Sequence, residues 1–412
     1  MKLDDTLKEL SLEEYEEVFE KDWDKSETLL NSMDFLTEKY IVEHAKLAEI
    51  DTEFIPRIVN TAKKIDHSTA LKRLFTHCHY LLFVCQDTPD KVGKDFPDMQ
   101  SVLDNEGFIY NLLLALSGME ESKKYFKSMN MSKDVIKGAF KDIAIWSSHN
   151  DENFGYIGLT PHNLNWERGL MRGNLFRLGR LQFNIRPFGG RITVYRNKKT
   201  KQVQAFVNDG IAVNSSGLYD GVDGVFDKNS WKSSLVQDKH QVTGNPLTPQ
   251  SIILQKKISL DLHEWDKVLE MYDPILDIHI PAGESMDMQK CSDSINYSVK
   301  FFAKYFPEKS YKGWACNSWF LDNQFEKILP NSSNIVQFQR ELYLYPLSAG
   351  SEAGCKRIFG ENGIKNAPKE SSMHKAVADF MRKGGKLRQG GGFFLKEDMP
   401  WGKQLYRKSK YL

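Results

Sequence analysis

The chain has 412 residues, of which 41% are hydrophobic and 27% charged, and its 56 Lys+Arg balance 55 Asp+Glu to a formal net charge of +1. That length allows two or three domains with real cores, and the balance excludes a globally disordered chain and a uniformly basic nucleic-acid binder. The five cysteines, Cys78, Cys85, Cys291, Cys316 and Cys355, are odd in number and widely scattered, which does not look like a disulfide framework and points to a reducing cytoplasm.

The residues from Met1 to Phe19 are acidic and hold no apolar core for an export signal. The apolar runs Leu81–Cys85 and Leu112–Leu116 fall far short of the ~18 residues that argue for a membrane span, so no membrane partner is expected. The neutral total is nevertheless a sum of unlike parts. The first 50 residues carry 15 Asp+Glu against 6 Lys+Arg, whereas the residues from Ser351 onward carry 6 against 14. A further positive excess runs through Arg168, Arg172, Arg177, Arg180, Arg186, Arg191, Arg196, Lys198 and Lys199.

From Leu3 to about Ser148 the apolar residues recur at three and four, as in Leu71, Leu74, Phe75, Cys78, Leu81, Leu82 and Cys85, which predicts amphipathic helices. Ser11-Leu-Glu-Glu14 reads as a capping box at a helix start. The Gly-, Pro- and Asn-rich stretch from His149 to Asn165 is the expected end of a helical domain over 1–165. Beyond it the period becomes two. Leu181, Phe183 and Ile185 alternate with polar residues, as do Ile192 and Val194 after Pro187-Phe-Gly-Gly190, and then Val203, Ala205 and Val207, which predicts an antiparallel meander. Asn208–Gln250 reads as an irregular insertion with one short strand pair. Strands are expected at Ile258–His263 and Ile275–Ile280, and a helix capped by Ser285 is expected to end before Pro307. A strand around Lys312–Cys316, a helix from Asp322 to Leu329 and a helix or strand through Ile335–Tyr345 complete the pattern.

The segment Ile275–Phe306 places Pro281-Ala-Gly-Glu-Ser285 between a strand and a helix. Unpaired amides at a helix start attract phosphate, and Gly283 lets a ligand come close to the backbone. A plain capped connection has the same local pattern. The phrases Leu276-Asp-Ile-His-Ile-Pro-Ala-Gly283, Asn317-Ser-Trp-Phe-Leu-Asp322 and Ser333-Asn-Ile-Val-Gln-Phe338, with Arg172-Gly-Asn-Leu-Phe-Arg-Leu-Gly-Arg-Leu-Gln-Phe183, resemble a bacterial family of GNAT-like acyltransferases. The resemblance covers roughly residues 1–345.

It implies an α+β protein: a helical N-terminal domain (1–165), a GNAT-like domain (166–345) with a mixed, mainly antiparallel sheet flanked by helices, and a C-terminal extension (346–412) packed on the latter. The implied activity is transfer of an acyl group from acetyl-CoA or another acyl-CoA to the amine or hydroxyl of a small-molecule acceptor. Ile278 and Ile280 would flank the pantetheine, and Ala282, Gly283, Glu284 and Ser285 would hold the pyrophosphate through backbone amides. This loop has one glycine where the family pattern has more, and Glu284 brings a negative charge to it. His279 lies where the thioester carbonyl would be, and a neutral imidazole there would take the proton of an attacking amine; a histidine bonded within the sheet is the simpler alternative. Asp322 would orient the acceptor or, more ordinarily, cap a helix. Cys316 would attack as a thiolate or sit in the core.

Other motifs carry less. His77-Cys-His79 lies on an expected helix, where residues two apart point about 200° apart, so the two histidines do not share a metal and none is expected. Arg382–Gly392 is basic and glycine-rich. Phosphate contact from Lys383, Lys386 or Arg388 competes with a helix end and a turn before a strand at Phe393–Leu395, and nucleic acid is not an expected partner. The reading that competes with catalysis is an inactive GNAT-like scaffold that binds a small ligand or a protein partner.

Overall fold

A computed structural model describes residues 1–32, 34–350, 352–360 and 371–408 of the chain. Residues 361–370 and 409–412 of the expected C-terminal extension lie outside the described residues. The chain forms two compact units, Met1–Leu178 with Pro281–Glu284, and Gly179–Ile280 with Ser285–Leu412.

The first unit is helical. It runs through α1 (Leu3–Leu10), α2 (Glu16–Phe19), α3 (Trp23–Ser26), α4 (Glu38–Leu47), α5 (Ile55–His67) and α6 (Thr69–His79). It continues through α7 (Gln100–Leu103), α8 (Gly107–Ser117), α9 (Met119–Ser128), α10 (Lys133–Phe154) and α11 (Pro161–Met171) to a short strand β1 (Phe176–Leu178). The three-and-four spacing is realised in buried stripes such as Ile58, Val59, Ala62 and Ile65 of α5. Helix α8 differs: every residue is buried, so its Leu112–Leu116 run is the apolar rod around which α4, α5, α6, α9, α10 and α11 pack.

Two local expectations change. Ser11 does not open a helix; it ends α1 in a left-handed conformation (φ 54°), its N–H turned back to the carbonyls of Leu7 and Lys8. The stretch at His149–Asn165 is a corner inside this unit: α10 passes through it to Gly155 (φ 72°), and Thr160 then forms a reciprocal capping box with Asn163 to start α11.

Much of the arginine excess is consumed here. Beyond α6 the helix widens into a π turn, Tyr80–Val84, which leaves carbonyls without their usual helical donors. Buried Arg168 donates to Leu82 O, Asp90 O and Thr88 Oγ1, and Arg172 donates to Leu82 O and Cys85 O. Arg177 pairs with buried Asp142. His77 and His79 bond different hydroxyls, Ser26 Oγ at 2.9 Å and Ser117 Oγ at 2.8 Å. Among the described residues, no three His, Cys, Asp or Glu side chains are grouped to hold a metal, and no helix is long and apolar enough to cross a membrane.

The second unit is α+β. Its strands are β2 (Leu181–Pro187), β3 (Ile192–Asn197), β4 (Val203–Val207), β5 (Ala212–Val213), β6 (Trp231–Lys232), β7 (Leu235–Gln237) and β8 (Gln241–Gly244). They continue as β9 (Pro246–Leu247), β10 (Ile258–Asp261), β11 (Trp265–Leu269) and β12 (Pro274–His279). Then follow α12 (Met288–Tyr305), β13 (Gly313–Ser318), α13 (Phe325–Ile328), α14 (Asn334–Glu341), β14 (Tyr343–Pro346), α15 (Glu352–Phe359), α16 (Ser372–Arg382), β15 (Gly390–Leu395) and α17 (Leu405–Lys408).

Within this unit the principal sheet runs β2-β12-β13-β15-β14, beside a sheet β11-β3-β4-β9, a sheet β10-β8-β7 and a ribbon β5-β6. The expected meander is therefore split. Strand β2 pairs with β12, whereas β3 pairs with β4 and β11, because Phe188 between them is buried and its N–H bonds Asp273 O at 2.8 Å. The insertion holds more pairing than one strand pair. Strand β15 comes from residues expected to form an appended extension, yet it lies between β13 and β14, and the glycines expected in a turn before it are its first three residues.

Helix α12 covers one face of the principal sheet with Cys291, Ile295, Phe301 and Phe302 buried. Its serines fasten it: Ser294 Oγ accepts from Arg180 N and Leu181 N, and Ser298 Oγ accepts from Trp314 Nε1 at 3.0 Å.

Glu167 of α11 is fully buried, and neither carboxyl oxygen has a hydrogen-bond partner among the described residues. Burial, then the Asp142 charge, hold its pKa well above the ordinary 4.5, against the pull of Arg177. Its contribution to stability is complete below that ordinary value and is lost as pH rises toward the folded value, by up to about 1.4 kcal/mol per pH unit. Glu167→Gln should therefore unfold at higher urea concentration than wild type at pH 8, with a smaller difference at pH 5. An equal offset at both pH values would contradict this account.

Candidate active site

Strand β12 is paired antiparallel with β2 over six positions, from Pro274↔Pro187 to His279↔Gln182. Strand β13 is paired with β15 over six positions. Between them β12 and β13 share only two parallel pairs, Leu276↔Trp314 and Asp277↔Ala315. Past those pairs this ladder ends, with His279 on the end of one strand beyond it and Asn317 and Ser318 on that of the other.

Strand alternation sorts the residues by face. Leu276 and Ile278, with Trp314 and Cys316, lie on the face covered by α12. Asp277 and His279 lie on the other, with Gln182, Asn184 and Arg186 of β2, Ala315 and Asn317 of β13, Gly391 of β15 and Tyr345 of β14. His279 Nε2 is 3.2 Å from Asn184 Oδ1 and 3.4 Å from Asp277 Oδ2, and Arg186 Nη1 is 3.8 Å from the same Asp277 oxygen. Across the opening, Tyr345 Oη donates to Asn317 Oδ1 at 2.8 Å. Its ring lies over Gly391, where a Cβ would come within 2.1 Å of it.

The side chains of His279 and Asp277 are 23% and 19% exposed. Burial pushes Asp277 up to about 6, with Arg186 opposing the rise, and burial together with Arg186 pushes His279 down to about 4. At neutral pH the face therefore presents a neutral imidazole beside a carboxylate, the state a proton acceptor needs.

Of the three predicted catalytic residues, only His279 is on this face. Cys316 is 1% exposed, and burial and then the Asp277 charge hold its thiol protonated, which places it in the core and removes the thiolate reading. Asp322 is also buried and is not a helix cap. It accepts from Gln324 N at 3.0 Å and from Arg388 N at 2.7 Å, tying the chain before α13 to the approach to β15.

The predicted cofactor residues divide. Ile278 is buried and Ile280 half-buried at the end of β12; Ser285 is exposed in the same unit. Ser285 does not cap α12. Asp287 does, accepting from Lys290 N at 2.8 Å, and Arg180 Nε donates to Ser285 O at 3.0 Å. Ala282, Gly283 and Glu284 belong to the first unit. There Gly283 adopts φ +88°, and Glu284 Oε1 is 2.8 Å from Lys141 Nζ and 3.5 Å from Arg177 Nη2, so its charge is neutralised within that unit.

Sequence reasoning missed Asp277, Asn184 and Arg186. Asn184 and Arg186 stand in the polar phase of the alternation that predicts β2, and Asp277 is a polar residue inside the apolar-rich run that predicts β12; those positions were the signal available.

The family described as "GNAT-like C-terminal domain" matches residues 175–394, and the chain belongs to it. Among solved structures, a mutant acyltransferase in complex with octanoyl-CoA is similar at 17% identity with a TM-score of 0.64, over 96% of this chain and 99% of that one. An acyltransferase in complex with decanoyl-CoA and teicoplanin is 18% identical with a TM-score of 0.58, over 86% and 87%. No curated protein matches the chain.

Because Arg186 depresses both groups, Arg186→Ala should raise the pKa of Asp277 above about 6 and that of His279 above about 4. Arg186 is 59% exposed, so solvent and salt screen the effect to a fraction of a unit. Carboxyl and imidazole NMR titrations check the direction; a fall in either value would contradict it.

Proposed function

We propose that the protein is an acyltransferase that passes the acyl group of an acyl-CoA to the amine or hydroxyl of a small-molecule acceptor. The observation that carries this reading is the opening between β12 and β13 with a neutral His279 on its rim. The acceptor nitrogen or oxygen attacks the thioester carbonyl carbon, His279 takes the acceptor's proton, and CoA leaves as its thiolate. Binding both reactants against fixed strands makes the attack effectively intramolecular. The acyl-CoA complexes of similarly folded acyltransferases support the choice of donor.

In this proposal the pantetheine lies along β12 near Ile278 and Ile280, and the backbone amides of Ala282, Gly283, Glu284 and Ser285 hold the pyrophosphate. Arg180, bonded to Ser285 O, adds positive charge at that turn, and the Lys141 and Arg177 pairs of Glu284 cancel the negative charge of the loop. One observation favours the alternative, a catalytically inactive GNAT-like scaffold for a small ligand or a protein partner. Asp287 occupies the cap of α12 and takes the Lys290 amide, so a carboxylate stands where a phosphate would gain from the helix dipole.

Calorimetric and thermal-shift titrations with acetyl-CoA and octanoyl-CoA separate the readings. Saturable binding is expected, with about 2.7 kcal/mol of stabilisation at a hundredfold excess over Kd; no binding at millimolar ligand would leave only the scaffold. His279→Ala should keep acyl-CoA affinity while lowering kcat/KM about 10²- to 10⁴-fold, followed as free-thiol release with a panel of amine and hydroxyl acceptors. Unchanged turnover would return His279 to a structural role.

A further inference from the structure

The antiparallel register sets Asn184 directly opposite Asp277 and diagonally beside His279. One ring nitrogen, Nε2, is thereby flanked by Asn184 Oδ1 at 3.2 Å and Asp277 Oδ2 at 3.4 Å. An amide oxygen never donates a hydrogen bond and an ionised carboxylate has no proton to donate, so an uncharged imidazole meets both only when Nε2 carries its hydrogen.

We propose that Asn184 is a positioning residue: its carboxamide oxygen holds the His279 ring with the hydrogen on Nε2, making Nδ1 the nitrogen that receives the acceptor's proton. This inference rests on the reading of His279 as the base and adds the atom that does the work and the neighbour that selects it. Asp277 shares the task, since its carboxylate stabilises the imidazolium formed when Nδ1 is protonated. The array resembles in logic any base held in one tautomer by a third group. Arg186 of β2 is a further charge that bears on His279. On the same face β13 presents Ala315 and Asn317, which carry none, and the Tyr345 phenol of β14 stays protonated because burial raises its pKa.

The test reads nitrogen protonation directly. Full-length protein labelled with ¹⁵N-histidine, with the His279 ring assigned by its loss in His279→Gln, should show at pH 7.5 a protonated Nε2 and an unprotonated Nδ1. Asn184→Ala should shift the ring toward mixed tautomers and lower kcat by up to about a hundredfold with KM for acyl-CoA within about twofold, whereas Asn184→Asp, which keeps an acceptor oxygen in place, should retain the tautomer and recover most of kcat. A wild-type ring with its hydrogen on Nδ1 overturns the assignment even if His279→Ala abolishes turnover. So does Asn184→Ala with tautomer and kcat unchanged. Because the nitrogen signals are read without substrate, retained turnover in His279→Ala would remove the base while the tautomer result stood by itself, so the two failures are distinct.

Discussion

What makes the second unit a candidate site rather than a plain sheet is how little β12 and β13 share. Each is fixed on its outer side over six positions, β12 by β2 and β13 by β15, yet the two meet through only two pairs. Backbone donors and acceptors seek partners, so the facing edges beyond Asp277 and Ala315 suit an extended ligand that carries amides of its own. The pantetheine of the proposed acyl-CoA is such a chain. The two-pair ladder is itself held in place. Trp314, paired with Leu276, is bonded to Ser298 of α12, and Ser294 of the same helix bonds the backbone that leads into β2. One helix thus fastens the strands on either side of β12.

Around this opening the charged residues are committed to particular partners. Counting charge along the chain makes the segment from Arg168 to Arg196 look like a basic surface, but most of its guanidinium groups work inside a unit. Arg168 and Arg172 cap carbonyls freed by the π turn, and Arg177 bridges Asp142 and Glu284. Arg196 is buried against Asp398, whose other oxygen accepts from Tyr406. Charges that do bear on the candidate site include Arg186 on Asp277 and His279, and Arg180 at the turn before α12. A buried guanidinium with a carboxylate partner contributes little long-range field, so segment charge is a poor guide to where an anion would be held.

The legible parts of the fold were those set by a period. The 3.6-residue stripes of α5, α6 and α12 and the two-residue alternation of β2, β3 and β4 follow from burial of one face, and those elements form where the spacing puts them, as does β12 where its apolar-rich run stands. Pairing was less legible. Nothing in Leu181–Val207 says that the chain leaves one sheet for another at Phe188, because that choice depends on Asp273, more than eighty residues away. The site was half legible for the same reason. His279 could be put forward as a candidate from its place at the end of a strand, whereas the roles proposed for Asn184 and Asp277 depend on β2 and β12 being in register. Asp322 and Cys316 could be weighed but not decided, since burial and the bond from Arg388 N are tertiary facts.

The run Gly390–Gly392 shows how far composition misleads when the reason for glycine is hidden. A glycine cluster beside lysines and arginines suggests a loop that cradles phosphate, which needs left-handed backbone and exposed amides. None of these three has a positive φ, and all lie within β15, their backbone committed to β13 and β14. What they lack is room. A Cβ on Gly390 would meet Leu321 O at 2.0 Å, one on Gly391 the Tyr345 ring at 2.1 Å, and one on Gly392 the Leu342 side chain at 2.9 Å. The bare strand is therefore a packing device, and at Gly391 it lets Tyr345 reach across to Asn317 on the arm of the opening that faces His279. A tract that looked like a second anion site instead shapes the far wall of the first candidate site, by removing three side chains.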